Sequence, residues 1–339
     1  SWGFRVDLME AAHGRPNVVA RVGTPGARTL MFNGHLDVVG TDGMIHEPWN
    51  APEREGRIYG RGSADMKAGV AAMCAAAAHA ADGALAGEIV VAAVVDEEFE
   101  SIGTRSLIAS GVRADAAIVT EPTRLTIMPS HLGFVWIDLT THGRAAHGSR
   151  WELGVDAIRH AGLVLAELDR IDSEDLPKKQ HWLLGRPSVH ASLIEGGSGM
   201  STYPDRCVIR IERRTIPGET PDEVKAELEA ACARVAAKKP NLRADVAVTF
   251  SQEPSDVAVD APIVTALKRA IGGAGEPDAR IEGMTAWTDA ALLNAAGIPA
   301  ICFGPGDIAL AHAAEEWVPI DEIERATRVL TCLATTWHS

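Results

Sequence analysis

Alternation is the strongest constraint in this sequence: short β-branched runs and alanine-rich helical runs take turns from Ser1 to about Ser130. NVVARV from Asn17, TLMFN from Thr29, EIVVAAVV from Glu88 and AAIVT from Ala116 read as strands, and a helix is predicted from about Met66 to Ala81. Strands that are apolar along their whole length need cover on both faces. The order therefore predicts an α/β fold, a mostly parallel sheet covered by helices. The same texture returns late in the chain, with VTALKRAIG and TDAALLNAAG as helices, IPAICFG as a buried strand and DEIERATRVLTCLATTW as a final amphipathic helix.

The middle of the chain breaks this pattern. FVWIDLTT, SVHASLI, DRCVIRIER and RADVAVTF read as strands, with ELGVDAIRHAGLVLAELDRI and PDEVKAELEAACARVAAKK as helices between them. The order β-α-β-β-α-β is the ferredoxin-like split arrangement. The second of these helices carries a capping box, with Thr220 as N-cap, Pro221 at the first helical position and Glu223 two further on. An α+β domain over residues 132–250 is thus expected as an insertion into a larger domain made of 1–131 and 251–339. A length of 339 residues, beyond the size at which one core stops growing, agrees with two domains.

Composition excludes some functions. A net charge of −14 repels phosphate backbones and argues against nucleic-acid binding. No run approaches the ~18 consecutive apolar residues that a membrane helix needs. The five cysteines are odd in number and lack CxxC spacing, which fits a reduced, cytoplasmic setting better than a disulfide framework. The first residues show no signal-peptide architecture and read as a strand, so the chain is expected to begin inside a domain.

Five places combine metal-ligand residue types with a strand end or loop, where open α/β sheets put their sites. In FNGHLDVV, His35 and Asp37 follow a buried strand and share a face, so Asp37 is a candidate to orient the His35 imidazole. In GRGSADMKAG, Asp65 stands at the mouth of a helix, where an N-cap role competes with a ligand role. VVDEEFES ends an apolar strand on three adjacent carboxylates, a cluster costly to bury without a cation or shared protons. IVTEPT supplies Glu121, and FGPGDIALAHAAEEWVPID supplies His312 after a Gly-Pro-Gly turn. Each alone is ordinary. Together, two histidines and three carboxylates from five loops form a set that zinc or manganese accepts, and Glu97 beside Glu98 provides the spare glutamate that water activation requires.

In order and spacing, GHLDVV, GRGSADMKAG, VVDEEFES, VTEPT and GPGD…AH…EEWVPIDE resemble the acetylornithine deacetylase and succinyl-diaminopimelate desuccinylase family. Those enzymes belong to the aminoacylase and glutamate-carboxypeptidase group of two-zinc metallopeptidases. The resemblance spans essentially the whole chain and implies a catalytic metal-binding domain with an inserted lid and dimerisation domain. It implies two Zn2+, with Co2+ or Mn2+ as substitutes: His35 and Glu121 on one ion, Glu98 and His312 on the other, Asp65 bridging, and a cis peptide after Asp65. Glu97 matches the general base and Asp37 its supporting partner. In the lid, His147 matches a histidine that reaches the partner subunit's site, with His142 a nearby decoy.

Arg214, Ser201 and Gly306 match substrate-binding positions. Ser201 stands where many relatives have asparagine, Trp151 where proline is usual, and Glu212 where aspartate is common. The implied function is amide hydrolysis of an N-acyl amino acid, as a homodimer acting on small molecules. Alternatives are a dipeptidase or carboxypeptidase of the same family, or a non-catalytic binding protein on this fold.

Overall fold

The computed structural model describes residues 2–83, 85–277 and 279–337. The chain divides into two compact units, Ser1–Ser130 with Ser255–Ser339, and His131–Pro254.

In the larger unit the described residues form a nine-stranded sheet. At its centre Thr29–His35 runs parallel to Glu88–Val94 on one side and to Ala116–Val119 on the other. Ala116–Val119 in turn runs parallel to Ala300–Cys302. Antiparallel strands flank this core: Arg15–Gly23 lies on Glu88–Val94, Arg5–Ala12 lies on Arg15–Gly23, and Ile127–His131 meets Ala300–Cys302.

Alternation along the central strands sends side chains to two separate cores. Leu30, Phe32, Ile89, Val91 and Ile118 pack with apolar residues of the helices Ala68–Ala81, Pro262–Gly273 and Ile320–Thr336. Met31, Val90, Ala92, Ala117 and Val119 face the other way, onto Leu107 and Leu293 of the helices Ile102–Ala109 and Ala290–Ala295. Every residue of Thr29–His35 and Glu88–Val94 is buried, which is why residues 30–32 and 89–94 read as unbroken apolar runs.

The first long helix starts at Ala68 rather than at the expected Met66. Asp65 and Met66 have non-helical angles, and the peptide between them is cis. The Asp65 N–H donates to the Glu316 carboxylate rather than into a helix, so the sequence pattern placed the start two residues too early.

The smaller unit is a four-stranded antiparallel sheet in the order Ser188–Gly196, Arg206–Thr215, Gly133–His142, Arg243–Gln252. The helices Ala157–Arg170 and Pro221–Lys238 supply Val164, Leu168, Val224 and Leu228 to a core with Val135, Ile137, Leu139, Ile209 and Ile211. This is the ferredoxin-like arrangement. Both arms of the Thr220–Glu223 capping box form. The helix expected from Glu152 begins only at Ala157, because the Asp156 side chain caps it by accepting from the Arg159 N–H. Among the described residues no helix is long and apolar enough to cross a membrane.

Candidate metal centre

The larger sheet brings several of the singled-out residues to one edge. His35 is the last residue of its strand, Glu97 and Glu98 follow Glu88–Val94, and Glu121 lies just past Ala116–Val119. These are the carboxyl ends of parallel strands, where side chains from separate loops converge. Asp65 comes from the loop before the helix Ala68–Ala81, and His312 from the loop after Ala300–Cys302.

His35, Asp65 and Glu98 each offer a ligand atom within 4.8 Å of the others. His35 Nε2 lies 3.0 Å from Asp65 Oδ1 and 3.9 Å from Glu97 Oε2. His312 Nε2 lies 2.9 Å from Glu98 Oε2 and 3.5 Å from Asp65 Oδ2. Asp65 therefore stands between the two imidazoles, one carboxylate oxygen toward each. His312 has φ 60, a left-handed conformation that histidine tolerates better than most residues, and its side chain is half exposed. Asp65, His35 and Glu121 are buried.

Burial opposes ionisation of Asp65, but hydrogen bonds with His312 and His35 outweigh it and hold its carboxyl well below the usual range. Burial likewise works against charge on His35, yet the bond to Asp65 and the charges of Glu121 and Glu97 raise it well above an ordinary imidazole. Bonds to Asp65 and Glu98 raise His312 to about 10. Burial pushes Glu97 well up, opposed by His35 and reinforced by Glu121. Burial and then the charge of Asp65 do the same to Glu121. So many carboxyl groups in so little water are mutually repelling until cations or protons offset them. Imidazole nitrogen and carboxylate oxygen are also the donor types that zinc and manganese take, so the residues fit a divalent cation.

The local supports are specific. His35 Nδ1 donates to the Asp37 main-chain carbonyl at 3.0 Å, leaving Nε2 aimed into the cluster. The expected contact from the Asp37 carboxylate to the imidazole is longer, at 3.8 Å. That carboxylate instead accepts from the N–H groups of Glu97 at 3.3 Å and Glu98 at 3.2 Å. The strand end leading to Glu121 is approached by two glycines. A Cβ on Gly69 would sit 1.9 Å from the Thr120 carbonyl oxygen, and one on Gly304 would sit 2.5 Å from it. Only glycine lets the backbones meet this closely.

Gly306 has φ 92; its N–H donates to Glu322 at 2.8 Å and its carbonyl accepts from the Arg124 N–H at 2.7 Å. His147, Ser201 and Arg214 belong to the smaller unit. His147 is exposed and its Nδ1 lies 2.8 Å from Ser149 Oγ, while the next residue, Gly148, donates its N–H to the Ser201 carbonyl at 2.7 Å. Arg214 Nε donates to Glu212 at 2.7 Å, and its guanidinium lies 5.2 Å from the centre of the Phe134 ring. His142, the decoy, pairs with Asp245 at 2.7 Å.

Sequence reasoning passed over three neighbours of the cluster. Glu316 is fully buried and binds the loop that carries Asp65. Asp289, pushed by burial to about 6, accepts from Thr104 Oγ1 at 2.6 Å, in the helix that follows the double glutamate. The third is the close approach at Gly69. Their partners lie far away in sequence, and a carboxylate directly before a strand carries no local signal of such a role.

The sequence profile of the family described as "Peptidase family M20/M25/M40" matches residues 31–336. An acetylornithine deacetylase from Myxococcus xanthus is 30% identical over 328 residues, covering 95% of this chain and 84% of that protein. An N-formyl-4-amino-5-aminomethyl-2-methylpyrimidine deformylase from Bacillus subtilis is 27% identical, covering 99% of this chain and 86% of that protein. Among solved structures, an M20 family metallo-carboxypeptidase, Sso-CP2, from Sulfolobus solfataricus superposes with a TM-score of 0.81 at 18% identity, covering 99% and 91% of the two chains.

Proposed function

The chain belongs to the M20/M25/M40 peptidases, hydrolases of amide bonds, and on that premise we propose that it removes the acyl group from an N-acyl amino acid at a two-zinc centre. The observation that carries this reading is the trio His35, Asp65 and Glu98, with donor atoms within 4.8 Å of one another and the Glu97 carboxylate alongside. His35 and Glu121 would hold one cation, Glu98 and His312 the other, and Asp65, lying between the imidazoles, would bridge them. Divalent cations so held supply Lewis acidity, acidifying the attacking water and polarising the acyl carbonyl.

The remaining chemistry belongs to side chains. Glu97 takes the water's proton and delivers it to the departing amine nitrogen. Burial favours this role, because a carboxyl held above its usual range is a stronger base. His147 donates a hydrogen bond to the oxyanion, a contribution of roughly 3–4 kcal/mol per donor. Arg214, kept in place by Glu212 and Phe134, pairs with the substrate carboxylate. Ser201 and Gly306 complete the substrate contacts. We assign the smaller unit to homodimerisation and the protein to the cytoplasm, where its five free cysteines stay reduced.

The test is an assay of metal-loaded protein against N-acetyl, N-formyl and N-succinyl amino acids and dipeptides, with detection of the released amine and metal content by mass spectrometry. About two metal equivalents with release from N-acyl amino acids is the expected result. Exclusive cleavage of dipeptides would move the reading to a peptidase, and no bound metal after reconstitution would end it.

A further inference from the structure

The loop Arg61–Asp65 poses a problem that its own backbone does not solve. It is buried over most of its length, and Asp65 and Met66 are not helical, so its N–H groups lack the partners a helix start would share with solvent or a cap. One distant side chain meets most of that demand. Glu316 Oε2 accepts from Arg61 Nη1 at 2.7 Å and from the Gly62 N–H at 3.0 Å. Its Oε1 accepts from the Ala64 N–H at 3.0 Å and the Asp65 N–H at 3.1 Å. The same residue is tied through its main chain: its N–H donates to His46 Nε2 at 3.2 Å, and its carbonyl accepts from the Gly60 N–H at 3.1 Å.

Glu316 is 0% exposed, with both carboxylate oxygens occupied, so it is no metal ligand itself. It sits four residues after His312 and directly before the strand Trp317–Pro319, which pairs with Arg57–Tyr59. The segment carrying His312 and the loop carrying Asp65 thus run side by side, joined at Glu316.

We infer that Glu316 is the positioning residue of the metal centre, fixing the Asp65 loop against the His312 loop so that the two side chains meet before any cation arrives. Three of its four donors are main-chain N–H groups of the ligand-bearing loop. A carboxylate present only to neutralise Arg61 has no need of them. The inference rests on the reading of Asp65 and His312 as ligands, and goes beyond it by giving a non-ligand the task of setting their separation.

Two measurements test it. Amide hydrogen exchange on metal-free wild-type protein should find Gly62, Ala64 and Asp65 protected, because the clamp does not depend on the cation. Fast exchange there before metal and slow exchange after would overturn the inference. Glu316→Gln, which must turn an NH2 toward at least one of the four donors, should bind zinc ~10–100-fold more weakly in a chelator competition with the folded state confirmed by circular dichroism. Arg61→Gln removes the ion pair and the guanidinium's bonds to the Gly40 and Ala313 carbonyls but leaves the three main-chain bonds to Glu316, and should lower the thermal midpoint while keeping near-wild-type zinc affinity in the folded protein. Glu316→Gln with wild-type affinity refutes the positioning role. Wild-type protein that takes up no metal would instead refute the ligand reading beneath it.

Discussion

The Glu97 N–H donates to the carboxylate of Asp37 at 3.3 Å, so the turn bearing the proposed base is fastened to the strand end bearing His35. Glu98 adds a second bond to the same carboxylate at 3.2 Å, and the Asp37 main-chain carbonyl holds the His35 ring. One residue thus orients a proposed ligand, His35, through its backbone and the double glutamate through its side chain. Asp37→Ala should weaken zinc binding and lower kcat, each by ~10–100-fold, as loss of such supporting bonds usually does. Chelator competition and steady-state kinetics check this; a variant that changes KM alone would contradict it.

Glu97→Gln should keep both metal equivalents and lose ~100-fold or more in kcat, the usual weight of a general base. A variant retaining above about a tenth of the rate would move the proton-transfer role to another group.

The metal-free protein should lose stability as pH rises. His312 is raised to about 10 in the folded chain against 6.5 unfolded, so its contribution is complete below about pH 6.5 and disappears as pH climbs through about 10. The burial-raised carboxyls of Glu97 and Glu121 act in the same direction, since the folded chain keeps their protons longer than the unfolded one. Half exposure of His312 keeps its share modest. Metal reverses the sign, because binding expels these protons and so tightens with pH. Scanning calorimetry of chelated and loaded samples across that interval should show a widening gap; a metal-free midpoint that rises with pH would refute it.

Gly69→Ala should be destabilising by ~1–3 kcal/mol despite the helix propensity of alanine, because the new Cβ meets the Thr120 carbonyl at 1.9 Å. Activity should fall with it, as the shift is passed to Glu121. Gly162→Ala, in the helix Ala157–Arg170 with nothing within 4 Å of the added carbon, should instead stabilise by ~0.5–1 kcal/mol. Thermal melts of the two variants against wild type separate close approach from propensity.

His147→Ala should lose rate with metal content unchanged. Mixing it with a His35→Ala chain should restore part of the activity if the histidine serves the neighbouring subunit's site. Equal loss in mixed and unmixed samples would place it within its own chain.

The strands and helices were legible wherever their own pattern was strong. The continuous apolar runs at Thr29 and Glu88 announced buried central strands, and the Thr220–Glu223 box announced a helix start. The sequence order also foretold the ferredoxin-like insertion. What stayed hidden depends on partners far along the chain. Nothing near Glu316 says that its carboxylate answers N–H groups 251 residues away, and nothing in HLD says that Asp37 reaches Glu97 and Glu98 rather than the imidazole ring. The helix Ile102–Ala109 was likewise overlooked, its eight residues being too short for a periodic signal beside the acidic turn. The motifs could be picked out one by one; their convergence is a property of sheet order.

The split of the larger unit around His131–Pro254 has a consequence for biosynthesis. His35, Asp65, Glu98 and Glu121 leave the ribosome before the inserted unit, and His312 only after it. At about 5–20 residues per second, the nascent chain spends roughly ten seconds or more with four acidic or imidazole donors made and the fifth still untranslated. The central strand Ala300–Cys302, which lines up beside Ala116–Val119, is missing for the same interval. The five side chains can therefore first come together only as translation nears its end, on a sheet completed at the same time.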